Sequence, residues 1–558
     1  MSELPRVGRA SAVLAAGTIV SRVLGFVSMA LLTWVIGLNN PSANAFALAQ
    51  TLPQTLLLLI AGGFLSSFLV PQIVKAVGHS DAGLAFTNRL VTLGVVGFAG
   101  VTLLATAGAP ILIALFTVSD ENLDDQGVAL ATAFAFWCLP QLFFFALSSL
   151  LGEVLNARGV FGPSAWAPVF TNVTMIVGLL GFAAVYGIDP SHRDPASWQS
   201  VEIIALGLLP TLSVAVQSFV LMIAWRRSGL SWRPDFRWRG VGLGEVGRAA
   251  GWAFGMIVIN QLAGIVQVNL ALTAGAADAS LNALRVAWAI FVLPHSLIAV
   301  SIATPYFTRM SSHAAENRLG SLGVDLSRSL RIVGLLTVGA AAALVASAIP
   351  FVRFFAADAA EALATAPVLI AYLVGLLPFS ALYLVHRGFY ALGDTRTPFL
   401  IQVVQAVVFV GLAGAGVAAV SGAWVAAAIA LAISLAGTVQ AGLAAFVLRR
   451  RLAAPGSRGG RRVARQFAVF ALAAIPAVVT GLALTIPLGV VSFATPGLAD
   501  SYGLEAGTGF AMADRVNALV STAAIGAVVI GVYLALLRLL RVPELDELVW
   551  ALRRLVRR

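Results

Sequence analysis

Apolar stretches longer than about 18 residues recur from one end of this 558-residue chain to the other, each long enough to cross roughly 30 Å of hydrocarbon. In lipid a backbone must satisfy its own N–H and C=O groups, and a helix does so within each span. The chain therefore reads as an all-α polytopic membrane protein. Its charge content agrees: 11% of residues are charged, against about 25% in soluble domains, and the mean hydropathy is +0.94.

Polar breaks divide the apolar runs into fourteen spans, near 10–37, 44–74, 85–117, 127–155, 161–187, 200–225, 247–274, 281–308, 329–352, 362–386, 397–420, 424–448, 466–492 and 515–540. With a cytoplasmic N-terminus, 30 of the 35 basic residues fall on the inner side and only Arg193, Arg353 and Arg515 on the outer side. That bias sets orientation by the positive-inside rule, so both termini are expected in the cytoplasm. The remaining two, Arg22 and Arg285, are counted to neither side and read as lying within spans. None of the 24 acids lies mid-span, and Glu153 comes closest, near a cytoplasmic end. The first apolar run continues past Ser21-Arg22 without a convincing cleavage site and is read as a retained span, not a signal peptide.

Several function classes drop out. The formal charge of +11 sits in short loops, where topology accounts for it better than nucleic-acid binding does. Cys138 is the single cysteine and lies in an apolar run, which removes disulfide frameworks and Cys-based metal sites. Lys75, the single lysine, has no Gly-rich phosphate loop around it, and the five histidines lack ligand spacing.

The chain repeats itself. Leu52-Pro53 recurs as Leu293-Pro294, Leu139-Pro140 as Leu377-Pro378, and Val216-Gln217 followed by Arg226-Arg227 as Val439-Gln440 followed by Arg449-Arg450, at offsets of 241, 238 and 223. The repeat joins spans 1–6 to spans 7–12 in parallel, an arrangement that in transporters places a site between two lobes. The expected organisation is an N-terminal lobe at 1–228, a second lobe at 229–452, spans 13 and 14 at 453–542, and a cytoplasmic amphipathic helix at 543–558. On that last segment Leu545, Leu548, Val549, Leu552, Leu555 and Val556 form one stripe with arginines opposite, a pattern that suits an anchor on the inner leaflet. Pro53 and Pro294 free backbone carbonyls inside spans, either as plain kinks or beside a cavity.

Gly17-Thr18-Ile19-Val20-Ser21-Arg22-Val23-Leu24-Gly25-Phe26, Leu52-Pro53 through Phe68-Leu69-Val70-Pro71, and Arg387-Gly388-Phe389-Tyr390-Ala391-Leu392-Gly393-Asp394-Thr395-Arg396-Thr397-Pro398 resemble the MurJ/MviN family of lipid II flippases. That family lies in the multidrug/oligosaccharidyl-lipid/polysaccharide exporter superfamily, and the resemblance covers almost the whole chain. It implies export of undecaprenyl-pyrophosphate-linked peptidoglycan precursor from the inner to the outer leaflet. Of the family's cavity arginines only Arg22 is matched: Ser28, Met29, Asn44, Leu57-Leu58, Gly62 and Ala289 occupy positions that are usually charged. Span 11, Leu400–Ala419, lacks the acids of a sodium site described in some members.

An arginine mid-membrane costs about 2.5–3.5 kcal/mol and usually faces a cavity, which makes Arg22 the leading substrate-binding candidate. Its planar fork suits pyrophosphate oxygens; a tie to backbone carbonyls is the alternative. Ser21 either adds a hydroxyl donor or is satisfied within its own helix. Arg285, one helical turn before Ala289, either supplies the missing span-8 cation or snorkels to the outer headgroups. Gln50 and Gln54 in span 2, and Asn260 and Gln267 in span 7, either line a polar cavity or join helices. His295 reads as structural, and Arg387, Asp394 and Arg396 as a cytoplasmic loop clamp. Asp120, Glu121, Asp124 and Asp125 read as a solvated outer loop.

Two arginines and no carboxylate in the membrane interior favour an anionic headgroup, hence a lipid II flippase working by alternating access. Another exporter of the superfamily, carrying a different carrier-linked oligosaccharide or a drug, is the transporter alternative; a proton-coupled drug exporter would want a buried carboxylate. A membrane glycosyltransferase would need the outer-loop acids. The expectation is a non-enzymatic monomer in the bacterial plasma membrane that meets its lipid-linked glycan and membrane lipids, but no nucleic acid. It would need no cofactor, with a monovalent coupling ion left open.

Overall fold

The computed structural model describes residues 4–61, 84–117, 123–158, 160–236, 247–275, 278–452, 459–492, 505–506 and 509–556. Gly62, Lys75, Asp120 and Glu121 lie outside them. The regular structure of the described chain is helical apart from one antiparallel pair of short strands, Val491–Ser492 with Glu505–Ala506, between spans 13 and 14. Thirteen described helices are long and apolar enough to cross a membrane. They match every span read from the sequence except the second, whose described part is the helix Pro41–Ala61.

By packing, the chain divides into two units, Met1–Ala277 and Asp278–Arg558. Span 7, Gly247–Ala271, thus packs with the first unit, whereas the repeat boundary lies at 228/229. The physical reason is a pair of amide ties: Gln261 Nε2 donates to the Thr55 carbonyl of span 2 at 3.3 Å, and Asn269 Nδ2 to the Leu115 carbonyl of span 3 at 3.2 Å.

Each half breaks and mends its helices alike. Span 4 is Asp125–Cys138 followed by Gln141–Ala157, interrupted at Leu139-Pro140, because proline lacks the N–H that would continue the ladder. Thr211 of span 6 donates to the Trp137 carbonyl at that break, at 2.6 Å. Span 10 is Ala359–Val374 followed by Leu376–Ala391, and Ser434 of span 12 donates to the Ala371 carbonyl at 2.7 Å. Thr211 and Ser434 are 223 residues apart, the offset of Gln217 and Gln440. Those glutamines are equivalent too: Gln217 accepts from Thr171 of span 5 at 2.5 Å, and Gln440 donates to Gln402 of span 11 at 2.8 Å. In span 8, Pro294 ends the α-helix Leu281–Pro294, and a π-helical turn, His295–Val300, carries the chain into Ser301–Ala315.

Within the second unit, spans 13 and 14 pack on span 9 through Val338, Phe470, Ile525, Val529 and Tyr533. Small residues permit the approach, as expected where lipid removes any hydrophobic drive between helices: Gly334 abuts Phe467, and Gly339 abuts Tyr533, whose hydroxyl donates to the Leu335 carbonyl at 2.9 Å. The C-terminal helix, Pro543–Val556, is held to span 9 by its acids. Glu544 pairs with Arg331 at 2.6 Å and Glu547 with Arg328 at 2.9 Å. Leu545 and Leu548 pack inward, so part of the stripe read as a lipid anchor is spent on the protein itself.

Candidate functional site

Arg22 lies in the first unit, inside span 1, whose helix runs Leu4–Ile36. Its setting follows from the residues around it. Gly17, Ser21 and Gly25 recur every four residues and share one face of the helix, and that face packs on span 5, Phe161–Tyr186. A methyl group on Gly17 would sit 2.8 Å from the Ala165 carbonyl oxygen, so only glycine permits this approach. One on Gly25 would meet Asn172 Oδ1 at 3.5 Å. Asn172 Nδ2 donates to the Ser21 carbonyl at 2.8 Å and to the Ser21 hydroxyl at 3.1 Å. The Gly-x-x-x-Ser-Arg-x-x-Gly motif is therefore a packing seam with an arginine one step, about 100°, off it. Arg22 is half-buried, neither lost in the seam nor fully exposed.

This geometry changes the reading of two serines. Ser21 is partnered across the seam and not by its own helix. Ser28, which stands where the family carries an arginine, is buried, and its hydroxyl is spent on the Gly25 carbonyl at 3.0 Å. On span 2, Gln54 is exposed and Gln50 half-buried. On span 7, Asn260 is exposed and Gln267 half-buried, and the residues that join helices are Gln261 and Asn269. Gln54 and Asn260 thus flank a Thr55–Gln261 tie instead of forming it.

Arg285 lies in the second unit, half-buried in the first turns of span 8, with Ala289 also half-buried one turn on. The same span carries an aromatic group: Trp288 lies tilted against Phe291 and edge-on to Tyr372 and Phe379, at ring separations of 5.0–5.7 Å. His295 is buried, 3.1 Å from Ser380 Oγ and 4.5 Å from the Phe379 ring, a structural placement. Arg387 donates to the Tyr383 hydroxyl at 2.7 Å and lies over the Phe307 ring at 5.0 Å. Asp394 is tied to the start of span 11 and to the end of span 12. It caps the span-11 helix through the Thr397 N–H at 3.0 Å and pairs with Arg451. Burial raises its carboxyl, but the hydrogen bonds from Thr397 and Arg451 outweigh that and hold it below the ordinary carboxylate value.

Asp325 of span 9, outside the predicted limits of that span, is buried and pairs with Arg309 at 2.7 Å and with His313 at 3.3 Å. Asp124 serves as the N-cap of Asp125–Cys138, accepting from the Gly127 N–H at 2.8 Å. Among the described residues no three His, Cys, Asp or Glu side chains are placed to hold a metal. Asn172, Gln261, Asn269 and Arg451 escaped the sequence reading. The usable signal for Asn172 was an amide in the middle of an apolar run, which is costly without a partner.

The family model described as "Lipid II flippase MurJ" matches residues 35–499. A probable lipid II flippase of Haemophilus influenzae is 28% identical over 466 residues, covering 78% of this chain and 84% of the relative. In fold, the chain is similar to a lipid II flippase in an inward closed conformation, with a TM-score of 0.69 at 18% identity, covering 93% of this chain and 97% of that one. It is also similar to an inward-facing multidrug resistance transporter, with a TM-score of 0.60 at 16% identity over 77% of this chain and 94% of that one.

Proposed function

Because the chain belongs to the MurJ family of lipid II flippases, we propose that it carries lipid II from the inner to the outer leaflet of a bacterial plasma membrane by alternating access. The family match over residues 35–499 carries this reading. The chemistry of Arg22 supports it: a guanidinium within span 1, on a helix packed through a glycine-lined seam, is suited to the pyrophosphate of a lipid-linked substrate. The exposed amides Gln54 and Asn260 are suited to sugar or peptide groups, and Arg285 to a second contact with the anionic headgroup. The protein acts as a transporter and not as an enzyme, needs no cofactor and works as a monomer.

The test is rescue of a bacterial strain depleted of its own lipid II flippase, paired with labelling of lipid II in the outer leaflet. Expression of this chain should restore growth and outer-leaflet lipid II together. Abundant, membrane-inserted protein that restores neither would overturn the assignment.

A further inference from the structure

We propose that Asn172 is a positioning residue that fixes the Ser21 hydroxyl as a donor and holds it beside Arg22, so that the two form a joint seat for one phosphate group; this rests on the reading of Arg22 given above. The Ser21 carbonyl can only accept, so the amide nitrogen of Asn172 must face it, which settles the orientation of the carboxamide. The second hydrogen of that nitrogen goes to Ser21 Oγ at 3.1 Å. A hydroxyl that accepts on one side is polarised to donate on the other.

Other serines in these spans spend their hydrogen on their own helix: Ser28 on Gly25, Ser213 on Leu209 and Ser329 on Leu326, at 2.8–3.0 Å. Among the described residues the Ser21 hydroxyl donates to no carbonyl, and it is only half-buried. Its hydrogen is left for a ligand that accepts without donating, as an ionised phosphate oxygen does. Arg22, next in sequence, reaches the same ligand with a long side chain. A free hydroxyl donor and a guanidinium side by side select an anion over a neutral group.

The repeat gives an independent reason. Thr171 and Gln217 in the first half correspond to Gln402 and Gln440 in the second, each pair joining two spans. The residue after Thr171 is Asn172, whereas the residue after Gln402 is Val403. The architectural tie is thus present in both halves, while the amide that faces Ser21 occurs in the first alone, as expected of a group that serves a site.

The test measures binding of undecaprenyl diphosphate and of uncharged undecaprenol to the full chain in lipid nanodiscs. The variants are Ser21→Ala, Asn172→Asp, the two combined, and Arg22→Ala. Aspartate matches asparagine in size but cannot donate to the Ser21 carbonyl, and it draws the hydroxyl hydrogen inward. Ser21→Ala and Asn172→Asp should each weaken undecaprenyl diphosphate binding about tenfold, the scale of one hydrogen bond to a charged group. The combined variant should be no weaker than the worse single one, and undecaprenol binding should not change. Ser21→Ala keeps the carbonyl tie and should retain the wild-type thermal midpoint, so it tests the seat even if Asn172→Asp fails to fold. Wild-type diphosphate affinity in Ser21→Ala, or equal loss of both lipids in the variants, would overturn the proposal. If only Arg22→Ala loses the diphosphate, the proposal alone fails; if Arg22→Ala also binds it normally, the reading of Arg22 fails.

Discussion

Removing the Arg22 guanidinium should abolish transport while leaving the helix that carries it in place. The seam between spans 1 and 5 is made by Gly17, Ser21 and Gly25 against Ala165 and Asn172, and the Arg22 side chain takes no part in those contacts. Insertion should if anything improve in Arg22→Ala, since an arginine inside a span costs up to about 2.5–3.5 kcal/mol. Two parallel charge-assisted hydrogen bonds to phosphate, each worth about 1.5–3 kcal/mol, imply a loss of at least about 3 kcal/mol, or more than about 100-fold in affinity. Arg22→Lys keeps the charge but not the fork and should fall between the two. The assay is the rate at which lipid II becomes accessible at the outer leaflet, normalised to the amount of inserted protein. A rate for Arg22→Ala within threefold of wild type, where about 100-fold is expected, would refute the argument.

Four further outcomes are expected. Asp394→Asn should lower the thermal midpoint at neutral pH, by the worth of a helix cap and a partly exposed ion pair, about 1–2 kcal/mol together. Because the folded carboxyl is held below its ordinary value, that difference is present above an unfolded pKa of about 3.9 and should disappear as pH falls through the folded value. Asp124→Ala should cost about 1 kcal/mol of stability through its lost cap yet leave transport intact; a large loss of transport at normal protein levels would revive a catalytic outer loop. Arg285→Ala combined with Ala289→Arg should transport faster than Arg285→Ala alone, and equal rates would assign Arg285 to the outer headgroups. In energised vesicles, dissipating the pH gradient while keeping the potential should leave flipping intact, since an interior-negative potential drives an anionic headgroup outward by about 2.3 kcal/mol per charge per 100 mV. Arrest by that treatment would sink the mechanism.

The spans were legible in the sequence because lipid imposes a local rule: each crossing segment must be apolar over its whole length and satisfy its own backbone. Hydropathy therefore marked thirteen helices that the structure describes, and Gly17–Phe26 displayed its motif. The repeat was legible for a related reason, since spans 4 and 10 are interrupted at or just before their Leu-Pro pairs and Gln217 and Gln440 bridge equivalent pairs. What the motif was for was not legible. Arg22 announced itself by its cost, but the face opposite Gly17, Ser21 and Gly25 belongs to span 5, and Ser21 meets Asn172 across 151 positions. Asp394 was read with Arg387 and Arg396 as a loop clamp, and its partner Arg451 lies 57 residues on. The C-terminal stripe suggested lipid, yet Glu547 closes on Arg328 across 219 residues. Span 7 is the repeat partner of span 1, and nothing in the repeat tells that Gln261 and Asn269 tie it to spans 2 and 3. In each case the apolar pattern says that a helix exists, whereas a hydroxyl, amide or carboxylate finds its partner on whichever helix packing brings alongside, and hydrocarbon is indifferent to which one that is.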